Sequence, residues 1–550
     1  MKTKTRGRSA GANGPTPMTG GEAIVAGLEA HGVDTLFGLP GAQIYGLFDA
    51  LHRSPIRVVS ARHEQACGYM AFGYARASGR PGVLSVVPGP GILNAGAALL
   101  TAYGANEPVL CLTGQVPSDF LGKGLGHLHE MPDQLATLSG FTKYCDRIDV
   151  PSAAPNAVAE AFRAMRSLRQ GPAALEMPWE QFTATSAVVP VAPMERVPDP
   201  PVDPTRIDAA VKLIAAAKAP MIFVGSGAVE DGEAVRLLAE RLGAPVVSFR
   251  SGRGIVSDRH PLGCTLVSGH RLWAETDLMI GIGTRLELPG WRWTSGPKDM
   301  KSIRIDIDAA ALRRQPSTVD ILARAGEGVD ALLAAVDRAG VSVPDRREAI
   351  AEAKAAADAE IRSLKPHHAF LAAIRAALPD EGILTEELCQ AGFASWFAYP
   401  VYQPRTLISS GYQGTLGAGF ATALGAKVAR PDVPVVAICG DGGFMFTVQE
   451  LATAAQEGIG VVAIVFNNEA YGNVHRDQEQ IFDGRVTASA LKNPDFVALG
   501  KAFGVDAMRV RTPKALQGAV EKAIGTGRCT LIEVPLSLKD EVSPWSFIRR

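Results

Sequence analysis

Cysteine is scarce in this chain, seven in 550 residues, and no two stand as Cys-x-x-Cys. That argues against both a disulfide framework and a structural zinc site. An excess charge of one sign is missing too. Lys and Arg number 55 against 56 Asp and Glu, a formal net charge of −1, so no basic surplus points to nucleic acid. No apolar run is long enough to span a bilayer. Aromatic residues make up 6%, charged residues 20% and apolar residues 47%, the balance of an ordinary globular protein. Residues 1–17 are basic and rich in Gly and Pro but lack the apolar stretch of a signal peptide. They are expected to be a disordered leader, and the protein is expected to be cytoplasmic.

A chain of this length holds about three domains. The expected fold is α/β, built from three doubly wound domains, because apolar strand-like runs alternate with helical patterns throughout. The first domain covers 18–185, with strands at 82–87 and 108–113. A proline-rich linker follows at 186–204. The central domain covers 205–343, with strands at 220–224, 245–249, 278–282 and 302–307. A connecting helix, 344–365, leads into the last domain, 366–534. Residues 535–550 carry Pro544, Trp545 and Phe547 and are expected to fold over the molecule as a lid.

What stands out is a pair of short segments. Gly440-Asp441-Gly442-Gly443 follows an apolar run, and Asn467-Asn468 closes the next one. Between them Val448, Leu451, Ala452 and Ala455 fall at helical spacing. Consecutive strands of a right-handed βαβ unit run parallel, which places Asp441 and Asn468 at one sheet edge, where open α/β sheets bind ligands. A carboxylate and an amide oxygen there suit Mg²⁺. Glycines at a helix start let a diphosphate approach backbone N–H groups. Taken singly, the first segment is also an ordinary turn and the second an ordinary cap. The pairing at this spacing is much more specific.

The pair resembles the diphosphate-binding motif of thiamine diphosphate enzymes. By that resemblance Asp441, Asn468 and the carbonyl of Ala470 would hold Mg²⁺, and Gly440, Gly442, Gly443, Tyr471 and Gly472 would line the diphosphate. A second match is Arg62-His63-Glu64. On local grounds Glu64 is an acid in a first helical turn, where the macrodipole favours it. By resemblance it would hydrogen-bond the aminopyrimidine nitrogen and so promote proton removal from the thiazolium carbon, a task helped by a carboxyl of raised pKa. Pro88-Gly89-Pro90-Gly91-Ile92-Leu93-Asn94 continues the match and adds Asn94. In Ser410-Gly411-Tyr412-Gln413-Gly414-Thr415-Leu416-Gly417, the Gly414 carbonyl would hold the 4′-amino group and Leu416 would wedge between the rings.

The likeness spans roughly 18–540, in the order pyrimidine-binding, central and diphosphate-binding domain. It is strongest to the acetolactate synthase group of 2-oxo acid decarboxylases and carboligases. Such enzymes build each site from two subunits, which implies a homodimer at minimum and commonly a homotetramer. The expected activity is decarboxylation of a 2-oxo acid, with or without ligation of the product to a second carbonyl.

Three departures bear on the reaction. His129, in Leu128-His129-Glu130-Met131-Pro132-Asp133-Gln134, replaces a glutamine of the synthases, and an imidazole there could relay a proton. A hydrogen-bonded loop histidine is the plainer alternative. The run Gly283-Thr284-Arg285-Leu286-Glu287-Leu288-Pro289-Gly290-Trp291 lacks the Phe-Asp-Asp-Arg of flavin-bearing synthases, which puts FAD in doubt. Glu386 to Tyr399 lacks their Gly-Gln-His and leaves Gln390 as the nearest polar candidate for the cofactor. Trp396, Phe397, Tyr399, Tyr412, Tyr471 and Trp545 suggest a pocket with aromatic walls, suited to a bulky or aryl 2-oxo acid. That would make the chain a non-ligating decarboxylase similar to benzoylformate decarboxylase. Two other classes remain. One is a dinucleotide-dependent oxidoreductase, on Gly225-Ser226-Gly227. The other is a catalytically silent relative, against which the joint presence of Glu64, Asp441 and Asn468 argues.

Overall fold

The structure, a computed structural model, describes residues 14–293 and 296–548. Three six-stranded sheets, every pair parallel, organise it. Their inner strands are largely apolar because helices cover both faces. Val435–Gly440, for example, is buried along its whole length.

The first sheet runs Arg57–Ser60, Thr35–Gly38, Gly82–Val86, Val109–Gln115, Ala173–Pro178, Tyr144–Arg147. The last runs Leu407–Ile408, Ile383–Glu386, Val435–Gly440, Val462–Asn467, Thr530–Pro535, Asp506–Arg509. Numbered within each sheet, both orders are 2-1-3-4-6-5. The central sheet runs Gly263–Cys264, Val246–Ser248, Pro220–Val224, Leu278–Ile282, Lys301–Asp306, Val319–Leu322. Its order is 3-2-1-4-5-6. In each sheet, connections leave strand 1 toward opposite sides, and a crevice opens outside the strand ends at that point. In the last sheet the crevice lies between the ends of Ile383–Glu386 and Val435–Gly440.

Two helices join the first and last units. Glu64–Ser78 packs face to face on Ala418–Ala429. Their backbones nearly touch: a Cβ on Gly73 would lie 2.1 Å from the Thr422 carbonyl oxygen, and one on Gly425 would lie 1.9 Å from that of Met70. Glycine is what permits this crossing.

Several local features differ from the sequence expectations. Thr16–Thr19 is a strand, paired antiparallel with Thr185–Val188, so the end of the expected leader and the start of the expected linker are both ordered by that pairing. Thr19 then caps the following helix in a reciprocal box with Glu22. The rest of the leader, 1–13, lies outside the described residues. The connecting helix is Arg347–Ile361. Val448 sits in a turn, because a single helical turn, Asp441–Phe444, comes first and the longer helix begins at Glu450. Among the described residues no helix is long and apolar enough to cross a membrane, and all seven cysteines are free thiols.

Candidate active site

Strand Val435–Gly440 delivers Asp441 to the carboxyl edge of the last sheet, and the neighbouring strand Val462–Asn467 delivers Asn468 beside it. Asp441 is 2% exposed. One of its oxygens accepts from Asn493 Nδ2 at 2.7 Å. Burial pushes its carboxyl above the ordinary range, opposed by Asn493 and by the backbone N–H groups of Gly442, Ala470 and Glu469. The Asn468 side-chain oxygen accepts from the Ala470 N–H at 3.2 Å. Asp441, Asn468 and the backbone at Ala470 thus lie together at this edge.

Glycine lets the surrounding loops converge on this point. Added Cβ atoms would lie 2.8 Å from Cys389 at Gly440, 2.5 Å from the Tyr471 ring at Gly442 and 2.8 Å from Glu387 at Gly443. A carboxylate, an amide and a carbonyl form an oxygen-only donor set, the kind a hard divalent ion takes together with water and phosphate oxygens. Among the described residues no group of three or more His, Cys, Asp or Glu is placed to hold a metal ion.

Sequence reasoning missed the two acids that close the adjacent strand. Glu387 is fully buried and accepts from the N–H groups of Gly417, Ala418 and Gly419 at 2.8, 3.2 and 3.2 Å. It caps the helix behind Leu416 and so fixes the loop carrying Gly414, whose φ is +61°. Burial, with the neighbouring Glu386 charge, pushes its carboxyl up to about 8. Glu386 is 1% exposed, and its oxygens make no hydrogen bond of good geometry. Burial pushes it up to about 7, restrained by Ser409, Arg250 and Trp396. Two consecutive acids after an apolar strand were the available signal. Gln390 lies on the same edge and accepts from Arg476 Nη1 at 3.2 Å.

Glu64 opens its helix, with His63 as the cap. Its hydrogen-bond partner among the described residues is Asn94, at 3.0 Å, so these two expected residues are brought together. The loop before it is tied to the last unit. Glu450, fully buried, accepts from the Arg62 N–H with both oxygens at 3.1 Å, and Gln65 Nε2 donates to the Leu416 carbonyl at 3.4 Å. No hydrogen bond or ion pair links Glu64 or Asn94 to Asp441 or Asn468 among the described residues.

His129 sits at φ +64° on the edge of the first sheet. Its Nδ1 lies 3.0 Å from Gln43 Oε1, while Gln43 Nε2 donates to the Leu128 carbonyl at 2.8 Å. The buried Gln43 therefore orients the imidazole.

The aromatic-wall expectation needs correction. Trp396, Phe397 and Tyr399 are each 1% exposed. Trp396 and Phe397 pack edge-on against Trp545, with ring centres 5.8 and 5.5 Å apart. Trp396 is core, covered by Phe249 of the central unit and by the C-terminal segment, while Phe397 and Tyr399 also border a cavity of about 370 Å³ lined with Asp258, Lys354 and Tyr402. Tyr412 instead faces a separate cavity of about 430 Å³ at the central sheet, lined by Gly225, Gly227, Gly283, Arg285 and Asp306 among others. The run from Gly283 to Pro289 forms part of its wall.

Comparison with known proteins bears on this geometry. Residues 18–137 match the model of the thiamine pyrophosphate enzyme N-terminal TPP binding domain, 207–332 the central domain of such enzymes and 389–534 their C-terminal TPP binding domain. The chain is 34% identical to a probable 2-ketoarginine decarboxylase of Pseudomonas aeruginosa, over 94% of each chain. It is 32% identical to a probable acetolactate synthase large subunit of Methanocaldococcus jannaschii, over 94% of this chain and 92% of that one. It is 30% identical to the acetolactate synthase isozyme 1 large subunit of Escherichia coli, over 96% and 95%.

Proposed function

The chain belongs to the thiamine pyrophosphate enzyme family, with decarboxylase and acetolactate synthase relatives, and from that premise we propose that it is a Mg²⁺-dependent decarboxylase of a 2-oxo acid, able to pass the product to a second carbonyl. The observation that carries this reading is the meeting of Asp441, Asn468 and Ala470 at one sheet edge. When bound, thiamine diphosphate supplies the electron sink that makes loss of CO₂ feasible. Asp441, Asn468 and the Ala470 carbonyl would hold the metal. Gly440, Gly442, Gly443, Tyr471 and Gly472 shape the diphosphate seat, and Gln390 stands at its edge. Gly414 and Leu416 shape the seat of the rings, and Glu387 braces that loop.

In the first unit Glu64, which accepts from Asn94, would be the carboxyl that shares a proton with the pyrimidine ring. His129, oriented by Gln43, delivers or accepts a proton at the substrate side. By likeness to the acetolactate synthase group, each site is read as composite, with Glu64 from one protomer and Asp441 from its partner in a homodimer or tetramer. The run from Gly283 to Pro289 lacks the flavin-bearing synthases' Phe-Asp-Asp-Arg, so the central unit is read as carrying no flavin, and a visible flavin band in purified protein would contradict that.

The substrate panel comprises short aliphatic, aryl and cationic 2-oxo acids. Packing of Trp396 and Phe397 against Trp545 weakens the argument for an aryl group. The relative named for 2-ketoarginine makes a guanidinium-tailed 2-oxo acid the first candidate to assay. The test is CO₂ release from that panel by wild type and D441A. Release that needs Asp441 supports the reading, and none from any member of the panel counts against it.

A further inference from the structure

The segment after the last strand does more than cover the core. Glu541 stands between two short helical turns, Leu538–Asp540 and Pro544–Ile548. Its side chain is only 3% exposed. One oxygen accepts from Asn468 Nδ2 at 3.1 Å and lies 3.6 Å from Nε2 of the fully buried His367. The other oxygen is buried with no hydrogen-bond partner and packs against the start of helix Gly472–Ile481, where a Cβ on Gly472 would meet it at 3.3 Å. One residue on, the Val542 carbonyl accepts from Gln390 Nε2. Trp545 anchors the segment on Phe393, Trp396 and Phe397. The segment therefore straps together the loops that follow two strands of one sheet, at Gln390 and Asn468.

An asparagine amide has one acceptor and one donor end. Whatever takes the NH₂ decides where the oxygen points. We propose that Glu541 is a positioning residue that holds the Asn468 NH₂, so that its oxygen is presented to Mg²⁺, and that the C-terminal strap and metal–diphosphate binding therefore stabilise one another. This rests on the reading of Asn468 as a metal ligand. Two physical points support it. Partners behind a ligand set its orientation and tune metal affinity. A buried carboxylate with an unused oxygen is also costly, and a divalent cation held by Asn468 would offset that cost. Linkage then requires the effect to run both ways.

The test uses the full chain. Calorimetry with thiamine diphosphate is run across a Mg²⁺ series for wild type, E541A and E541Q, and hydrogen exchange of 535–548 is followed with and without both ligands. E541A should weaken Mg²⁺-dependent binding on the order of 10–100-fold while the thermal midpoint without ligands stays near that of wild type. E541Q keeps an acceptor oxygen and should recover most of the loss. In wild type, exchange of the strap should slow when both ligands bind. Wild-type Mg²⁺ dependence in E541A, or strap exchange that ignores the ligands, overturns the proposal. The exchange measurement decides even if E541A does not fold. Absence of binding by wild type itself would instead sink the reading of the site and carry this inference with it.

Discussion

A carboxylate that must share a proton with a weakly basic ring cannot be replaced by an amide of the same shape. Glu64→Gln is therefore expected to keep the fold, because His63 caps the helix and Asn94 still finds an acceptor, yet to lower turnover by about 10²–10⁴-fold. Steady-state rates on an accepted 2-oxo acid check this, and a rate within a few-fold of wild type contradicts the role. Glu386 gives a second prediction, in stability. Its ordinary value is 4.5 and burial raises it to about 7, so the folded state binds the extra proton between those values. Stability falls as pH rises wherever the folded state holds more protons. This contribution is thus complete below about 4.5 and lost as pH climbs through about 7. Thermal midpoints from pH 5 to 8 should decline more steeply in wild type than in E386Q, and parallel curves would refute the assignment.

At this same scale, what the sequence reveals depends on how far apart the partners lie. Asp441 and Asn468 are legible because the motif is local and each residue closes a strand. Asn493, Glu387 and Glu541 act across 52, 30 and 73 residues, and no spacing rule announces such pairings. The aromatic residues misled for a related reason: composition does not distinguish a core ring from a wall ring.

Among the elements, the crossing of Glu64–Ser78 with Ala418–Ala429 is the most constrained. Gly73→Ala would drive a methyl into the Thr422 carbonyl, a backbone atom that cannot swing aside. Overpacking of this kind costs roughly 1–3 kcal/mol. The expected result is a lowered thermal midpoint together with weaker cofactor binding, since the same helix begins at Glu64. A midpoint equal to wild type would show that the two backbones can separate freely. Strands such as Pro220–Val224 and Leu278–Ile282 are plain in the sequence because burial on both faces keeps them continuously apolar. The short turn Asp441–Phe444 is not, because its glycines and tight approach to Tyr471 interrupt the helical period before it is established.

For the whole molecule, the shared 2-1-3-4-6-5 order of the outer sheets makes them two like units, one carrying Glu64 and the other Asp441, which pack through Glu64–Ser78 and Ala418–Ala429. The alternating texture of the chain shows three doubly wound units, but strand order depends on long-range pairing and is not written in any local pattern. If each site draws on two protomers, E64Q and D441A chains, each inactive alone, should regain activity when refolded or coexpressed together, because one site of the mixed dimer is intact. Persistent inactivity of a verified mixed dimer would place both residues in one chain's site.

The central claim is that the edge holding Asp441, Asn468 and Ala470 is a metal–diphosphate site. Calorimetric titration of cofactor-free protein with thiamine diphosphate, with and without Mg²⁺, tests it most directly. The account predicts saturable binding that depends on Mg²⁺ and is lost in D441A. Absence of binding in both conditions, or binding indifferent to the metal and to Asp441, would contradict it.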